Sequence, residues 1–269
     1  MTVIEARKIA ETEYHNKLRD IALREDPKLH ARLRSNYKWY SIARQRDAFV
    51  ESYFRQHCAG ARTLDFACGD GQNALLMSKM GADATGIDIS DISVGNAQRE
   101  AVRQGLQTKF AVMDCEKLDF ADNTFDFIYV GGVLHHLDLG RAYPELARVL
   151  KPSGTVLCVE ALRHNPIFQA YRQLTPHLRT DYEAKHILRR RDVIATRRYF
   201  ESVEWRFFYL ASLLAVPFRD TRLFHPLLST LETLDSALLS VPGVCWLAWM
   251  VAFTLSHPRK MGLACAEEH

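Results

Sequence analysis

Between residues 62 and 160, short apolar runs alternate with longer stretches whose apolar positions recur at helical spacing. Strands are expected at 63–66, 83–87, 108–112, 125–130 and 155–160, each closed by a turn and most followed by an amphipathic helix. Runs this short and apolar read as strands buried on both faces, as in parallel sheets covered by helices. Five such units predict an α/β fold with a doubly wound, mostly parallel sheet. Residues 4–57 are polar and amphipathic at helical spacing, are broken at Asp26-Pro27, and carry the aromatic cluster Tyr37, Trp39 and Tyr40. They are read as an N-terminal helical lid. Beyond Glu160 the alternation lapses. Two further strands are expected at 203–210 and 250–256, with Leu227, Leu228, Leu231, Leu234 and Leu238 marking a helical insertion between them. The expected division is a lid (1–57), a central core (58–162) and C-terminal additions that include the last two strands (163–269).

Composition narrows the class without changing this picture. The 269 residues are 48% hydrophobic and 25% charged, as in ordinary globular chains. Lys and Arg total 35 against 32 acids, a net charge of +3, so no chain-wide footprint for nucleic acid is present. Residues 164–200 hold a local excess of five positive charges. The six cysteines are widely spread, without a C-x-x-C pair or His at ligand spacing, and read as reduced thiols. The opening residues show neither the apolar core of a signal peptide nor the acid-poor pattern of a transit peptide, and a cytoplasmic location is expected. Residues 236–256 lack charge, but Pro242-Gly243 interrupts them, leaving a run shorter than the roughly 20 residues of a spanning helix. A buried strand or an interfacial segment is the reading.

The strongest local signal is TLDFACGDGQNALL at 63–76: an apolar strand, Gly69 and Gly71, then a helix start. Glycines here let main-chain N–H groups approach a ligand at the positive end of a helix. Seventeen residues beyond Gly71, Asp88 ends the next strand, where a carboxylate can accept hydrogen bonds from two vicinal ribose hydroxyls. The loop alone also satisfies the dinucleotide fingerprint Gly69-x-Gly71-x-x-Ala74, so a nicotinamide-dependent oxidoreductase stands as an alternative.

Across 63–160 the chain resembles the class I S-adenosylmethionine-dependent methyltransferases, and in its core motifs it is similar to those of ubiquinone and menaquinone biosynthesis. Asp65-Phe-Ala-Cys-Gly-Asp-Gly71 is similar to the family's first motif, with Ala67 where glycine is usual. NTFDFIYVGGVLHHL (123–137) resembles the fourth-strand motif, and RVLKPSGTVLCVE (148–160) the helix, Lys-Pro-x-Gly turn and fifth strand that follow. The resemblance implies a Rossmann-like methyltransferase fold and S-adenosyl-L-methionine as cofactor, with S-adenosyl-L-homocysteine as product and no metal. It places Asp88 on the ribose and Asp114 with Cys115 on the adenine. Asp65, Ala67, Cys68, Gly69, Gly71, Ile89 and Gly131 complete the expected cofactor contacts, with Tyr40 from the lid.

Methyl transfer from a sulfonium is an in-line displacement for which positioning and exclusion of water supply much of the rate. Where the acceptor must lose a proton, His135 or His136, just past the fourth strand, is the candidate base. Glu160, ending the fifth strand, could orient an acceptor. Tyr37, Trp39 and Tyr40 could place aromatic faces near the cationic sulfonium. Acceptor contacts are expected from Tyr37, His164, Tyr171, His177 and Arg179.

The expected protein is an enzyme that methylates O, N or C of a small, largely apolar metabolite. A non-catalytic cofactor-binding protein is the alternative from another class. The apolar segments FFYLASLLAVPF and VCWLAWMVAF, with Arg189, Arg190 and Arg191, would suit an apolar acceptor pocket and permit peripheral membrane contact. No nucleic-acid partner is expected, and a monomer or homodimer is.

Overall fold

The computed structural model describes residues 3–19, 37–175, 182 and 186–260. Seven strands form one sheet: β1 (Arg62–Phe66), β2 (Asp83–Asp88), β3 (Lys109–Val112), β4 (Phe125–Gly131), β5 (Leu150–Ala161), β6 (Phe200–Phe208) and β7 (Met250–Pro258). Their order is β3-β2-β1-β4-β5-β7-β6. The pairs β1·β2, β1·β4, β2·β3 and β4·β5 are parallel. The described helices are α1 (Val3–Arg19), α2 (Arg44–His57), α3 (Gln72–Lys79), α4 (Asp91–Gln104), α5 (Leu139–Val149), α6 (Pro166–Leu174), α7 (Arg190–Ala195) and α8 (Phe224–Leu238). The doubly wound architecture expected from the pattern is therefore present, with further helices before β1 and between β5 and β7.

The chain forms two compact units. One comprises Met1–Tyr53, Glu160–Arg190 and Arg206–Ala252; the other comprises Phe54–Val159, Arg191–Trp205 and Phe253–His269. In the second unit, local chemistry fixes the element ends. Ser90 caps α4 by accepting from the Ser93 N–H at 3.0 Å, and Gly105 closes it with φ +67°. Asp138 caps α5 through the Gly140 N–H at 2.9 Å. At the other end of α5, the Lys260 ammonium donates to the carbonyls of Ala147, Arg148 and Leu150, where a cation suits the helix dipole. The core is aromatic beside β4: Phe54 packs edge-on against Phe127 and Tyr129, and the His57 ring stacks on Phe127 with centroids 5.2 Å apart.

Two boundaries differ from the pattern-based reading. The Lys-Pro-x-Gly stretch, expected as a turn before a strand at 155, lies inside β5, which pairs with β4 from Leu150 and shifts register between Phe125 and Phe127. Gly154 makes this passable, because a Cβ there would stand 2.9 Å from the Asp126 carbonyl oxygen. The strand expected at 203–210 runs instead from 200 to 208. Tyr209 takes φ +65°, and the buried Asp235 carboxylate accepts from the backbone N–H groups of Leu210, Ala211 and Ser212 and from the Ser212 hydroxyl. Those amides are thereby withdrawn from the ladder, and a 3-10 stretch, Ala211–Phe218, begins.

In the first unit, α2 is tied to α8 by Arg44, whose guanidinium forks onto the buried Glu232 and donates to Ser229. The Tyr209 hydroxyl donates to the Ala43 carbonyl and accepts from the Arg46 N–H. Among the described residues, no helix is long and apolar enough to cross a membrane.

Candidate active site

Strand register sets the ends of β1, β2 and β4 side by side. Phe66 pairs with Ile87 and with Val130, so the loops that follow these strands emerge at one edge of the sheet. The strand order reverses between β1 and β4, and such a switch point is where ligands of open α/β sheets bind.

The loop after β1 is built from left-handed backbone. Ala67, Gly69 and Gly71 have φ of +63°, +52° and +81°. This explains the preference for small residues here, since an L-residue with a large side chain resists such angles. Gly71 meets a further constraint: a Cβ would lie 2.7 Å from both Ala97 Cβ and the Phe110 ring. Gly86 on β2 faces the same ring at 2.7 Å, in register with Phe110 on β3. Phe110 is thus wedged against two glycines and supports the loop.

Asp88 organises the loop from the end of β2. One carboxylate oxygen accepts from the Gly69 N–H at 2.8 Å and the other from the Ser90 N–H at 2.9 Å. A carboxylate offers about four acceptor positions, so this bracing leaves capacity for hydroxyl donors. Asp70, in the loop, accepts from the Asn96 side chain at 3.1 Å. Asp65, fully buried on β1, accepts from the Ala74 N–H at 3.0 Å near the start of α3. Burial pushes the Asp65 carboxyl up to about 7, opposed by the Ala74 hydrogen bond and reinforced by the neighbouring Asp88 charge.

The turn after β3 holds Asp114 and Cys115. Asp114 accepts from the Glu116 N–H at 2.9 Å, and the Cys115 thiol is buried, which pushes its pKa up. Burial likewise raises the Cys68 thiol, with Asp65 and Asp88 adding to the effect. Glu116 accepts from the Asp138 N–H at 2.7 Å, joining this turn to the segment that carries His135 and His136. Those histidines lie in a short 3-10 turn after β4, with ring centroids 4.3 Å apart. Gly131 ends β4, and its missing side chain makes room for a neighbour: a Cβ would stand 2.7 Å from the Tyr129 hydroxyl oxygen.

The structure thus gathers Asp65, Ala67, Cys68, Gly69, Gly71, Asp88, Asp114, Cys115 and Gly131 into one unit, with the half-buried Ile89 just past β2. Glu160, next to last in β5, is fully buried. Tyr37, Tyr40, His164 and Tyr171 belong to the first unit. There Trp39 packs on Phe168 and Tyr171, Tyr40 lies against Trp249 under the Arg46 guanidinium, and Tyr37 is 66% exposed. His164 Nε2 accepts from the Arg190 N–H at 3.3 Å. His177 and Arg179 fall outside the described residues. Sequence reasoning missed Phe110, Ser90, Glu116 and Tyr129. A glycine inside strand β2 was the available signal for Phe110, because it marks a close approach.

The fold, the left-handed loop and the acid at the end of β2 define a doubly wound α/β protein with a glycine loop at its switch point. Residues 64–158 match the family described as "Methyltransferase domain". A sterol 24-C-methyltransferase of Gibberella zeae is 39% identical over 99 residues, 35% of this chain and 26% of that protein. A ubiquinone/menaquinone biosynthesis C-methyltransferase of Rickettsia felis is 36% identical over 106 residues, 36% of this chain and 43% of that protein. This domain belongs to the class I S-adenosylmethionine-dependent methyltransferases. The chain spans between about a quarter and just under half the length of these two relatives. In fold it is similar to a geranyl diphosphate methyltransferase solved with GPP and sinefungin, with TM-score 0.57 and 17% identity over 94% of this chain and 99% of that one.

Proposed function

We propose that this protein transfers a methyl group from S-adenosylmethionine to O, N or C of a small, largely apolar acceptor. The observation that carries the reading is Asp88, a buried carboxylate at a strand end that braces the glycine loop through the Gly69 N–H. That acceptor beside main-chain N–H groups suits the ribose and the polar end of an adenosyl ligand. In this reading Asp88 accepts from the ribose hydroxyls, Asp114 and Cys115 with Ile89 flank the adenine, and Asp65, Ala67, Cys68, Gly69, Gly71 and Gly131 shape the remainder. When bound, S-adenosylmethionine supplies an electrophilic methyl carbon on a sulfonium. The chain's own work is to hold the acceptor in line and exclude water, and for an acidic acceptor to take its proton on His135 or His136. Relatives named for a sterol and for ubiquinone/menaquinone biosynthesis support a largely apolar acceptor. Acceptor recognition is assigned to Tyr37, His164 and Tyr171, acceptor orientation to Glu160, and a place near the sulfonium to Tyr40.

Calorimetry with S-adenosylhomocysteine and NADH tests the cofactor. Micromolar binding of the adenosyl ligand, weakened about tenfold or more by Asp88→Ala, is expected, the loss of a charge-assisted pair of hydrogen bonds. Binding of NADH alone would overturn the assignment. S-adenosylhomocysteine release in a screen of apolar phenols, quinols and amines then identifies the acceptor. With a phenolic acceptor, His135→Gln with His136→Gln should lower kcat about a hundredfold or more. An unchanged rate would show that positioning alone suffices.

A further inference from the structure

The loop after β1 has left-handed backbone at Ala67, Gly69 and Gly71, a form that a chain segment keeps only where its surroundings hold it. Asp88 braces the first part of the loop through the Gly69 N–H, and the Cys68 N–H donates to the Ile87 carbonyl at 2.7 Å. The second part, Asp70 and Gly71, is met by α4. Ala97 lies close against Gly71, and Asn96 Nδ2 donates to Asp70 Oδ1 at 3.1 Å.

The chemistry required of Asn96 is narrow. Its amide oxygen accepts from the guanidinium of Arg99, one turn further along α4. An ionised carboxylate only accepts and a guanidinium only donates, so a residue joining them must offer one donor and one acceptor. An Asp there would set two carboxylates against each other, and an Ala would remove the link. Hydrogen bonds to charged groups are the stronger ones, and a chain of them polarises its middle member. The half-buried Asn96 thus relays the charge of the exposed Arg99 to Asp70. Helix α4 also holds the other side of the site, because its capping residue Ser90 donates its N–H to Asp88. One rigid element therefore grips both Asp88 and Asp70.

We propose that Asn96 is a positioning residue for the cofactor loop: bound by Arg99, it fixes Asp70 and keeps the N–H groups from Gly69 to Gly71 in place for the ligand. The inference rests on the adenosyl reading of this site and deepens it, by giving two residues of α4 control of the loop. With Arg99 behind it, the charge of Asp70 is offset from the α4 side, which favours a ligand that itself carries a carboxylate, as the amino-acid end of S-adenosylhomocysteine does.

Exchanging donor and acceptor tests the pair. Asn96→Asp is nearly isosteric and opposes two carboxylates; adding Asp70→Asn restores the hydrogen bond in the reverse direction and leaves Arg99 an acceptor. In calorimetry, Asn96→Asp should weaken S-adenosylhomocysteine binding about tenfold or more, and the double change should return it to within about threefold of wild type. Methylthioadenosine, which lacks the amino-acid end, should lose less than about threefold, because Asp88 stays bound to Ser90. Arg99 is exposed, so Arg99→Met tests the relay without disturbing the core, and a loss of about threefold is expected. In the ligand-free proteins, hydrogen–deuterium exchange of peptides covering 67–72 should quicken in Asn96→Asp and recover in the double variant. Exchange and affinity unchanged by Asn96→Asp overturn the proposal, as does a double variant as weak as the single one. Equal losses for S-adenosylhomocysteine and methylthioadenosine would make the role general stability, and would overturn it too. Failure of the wild type to bind S-adenosylhomocysteine overturns the adenosyl reading instead, and the exchange rates still decide whether Asn96 orders the loop.

Discussion

Asp65 shows how one buried residue links local structure to pH. Its carboxyl is raised from 3.8 to about 7, so the folded state holds the proton more tightly than the unfolded chain does. The stability this contributes is full below about pH 4 and is lost as pH rises through 7. Asp65→Asn retains an acceptor for the Ala74 N–H and removes the titration. Urea unfolding should therefore show the Asn variant gaining on the wild type between pH 5 and pH 8, by about 1 kcal/mol or more. A difference that stays constant across that range would show that Asp65 does not titrate there. Ala67 illustrates a different legibility. Its departure from the family's glycine was visible in the sequence, but the reason glycine is usual there, φ of +63°, is a property of the folded loop.

At the scale of elements, the wedge formed by β2, β3 and the glycine loop is the sharpest case of what neighbours in space decide. Gly71 and Gly86 were legible as glycines, one in a loop and one in a strand. Their common partner Phe110 was not, because it reaches them only through the β2·β3 register. Gly86→Ala should cost about 1–3 kcal/mol by pressing on a ring that Gly71 also faces. In a Phe110→Leu background the same change should cost markedly less, a coupling that a double-mutant cycle measures. Equal costs in both backgrounds would show that the ring is not the obstacle. The β6 boundary has a similar origin. Apolar patterning predicted a strand through 210, and Asp235, 25 residues away, ends it by capturing three backbone amides.

For the whole molecule, the described cysteines Cys58, Cys68, Cys115, Cys158 and Cys245 are all buried. They report on opening of the fold. Alkylation mapped by mass spectrometry should be slow at each of them below the unfolding transition. S-adenosylhomocysteine should slow it further at Cys68 and Cys115, beside the loop and the β3 turn, and leave Cys158 unaffected. Equal protection at all of them would indicate general stabilisation, and would remove the support this site gives to the proposed adenosyl contacts. The apolar C-terminal segments carry the complementary lesson. Their composition suggested a pocket or a membrane face; Leu213, Val216, Trp246 and Trp249 are buried, whereas Leu214, Phe218 and Leu247 are exposed.

The strand and helix alternation, the glycine loop, the acid seventeen residues beyond it and the family of the domain are legible along the chain. All of these are encoded by residues close together in the chain, where spacing and backbone preference act directly. That Phe110 supports the loop, that Gly131 makes room for Tyr129 and that Asp235 ends β6 follow from the folded arrangement. Each of these depends on which crossover brings distant segments together, and pairing across such distances leaves no periodic mark in the sequence.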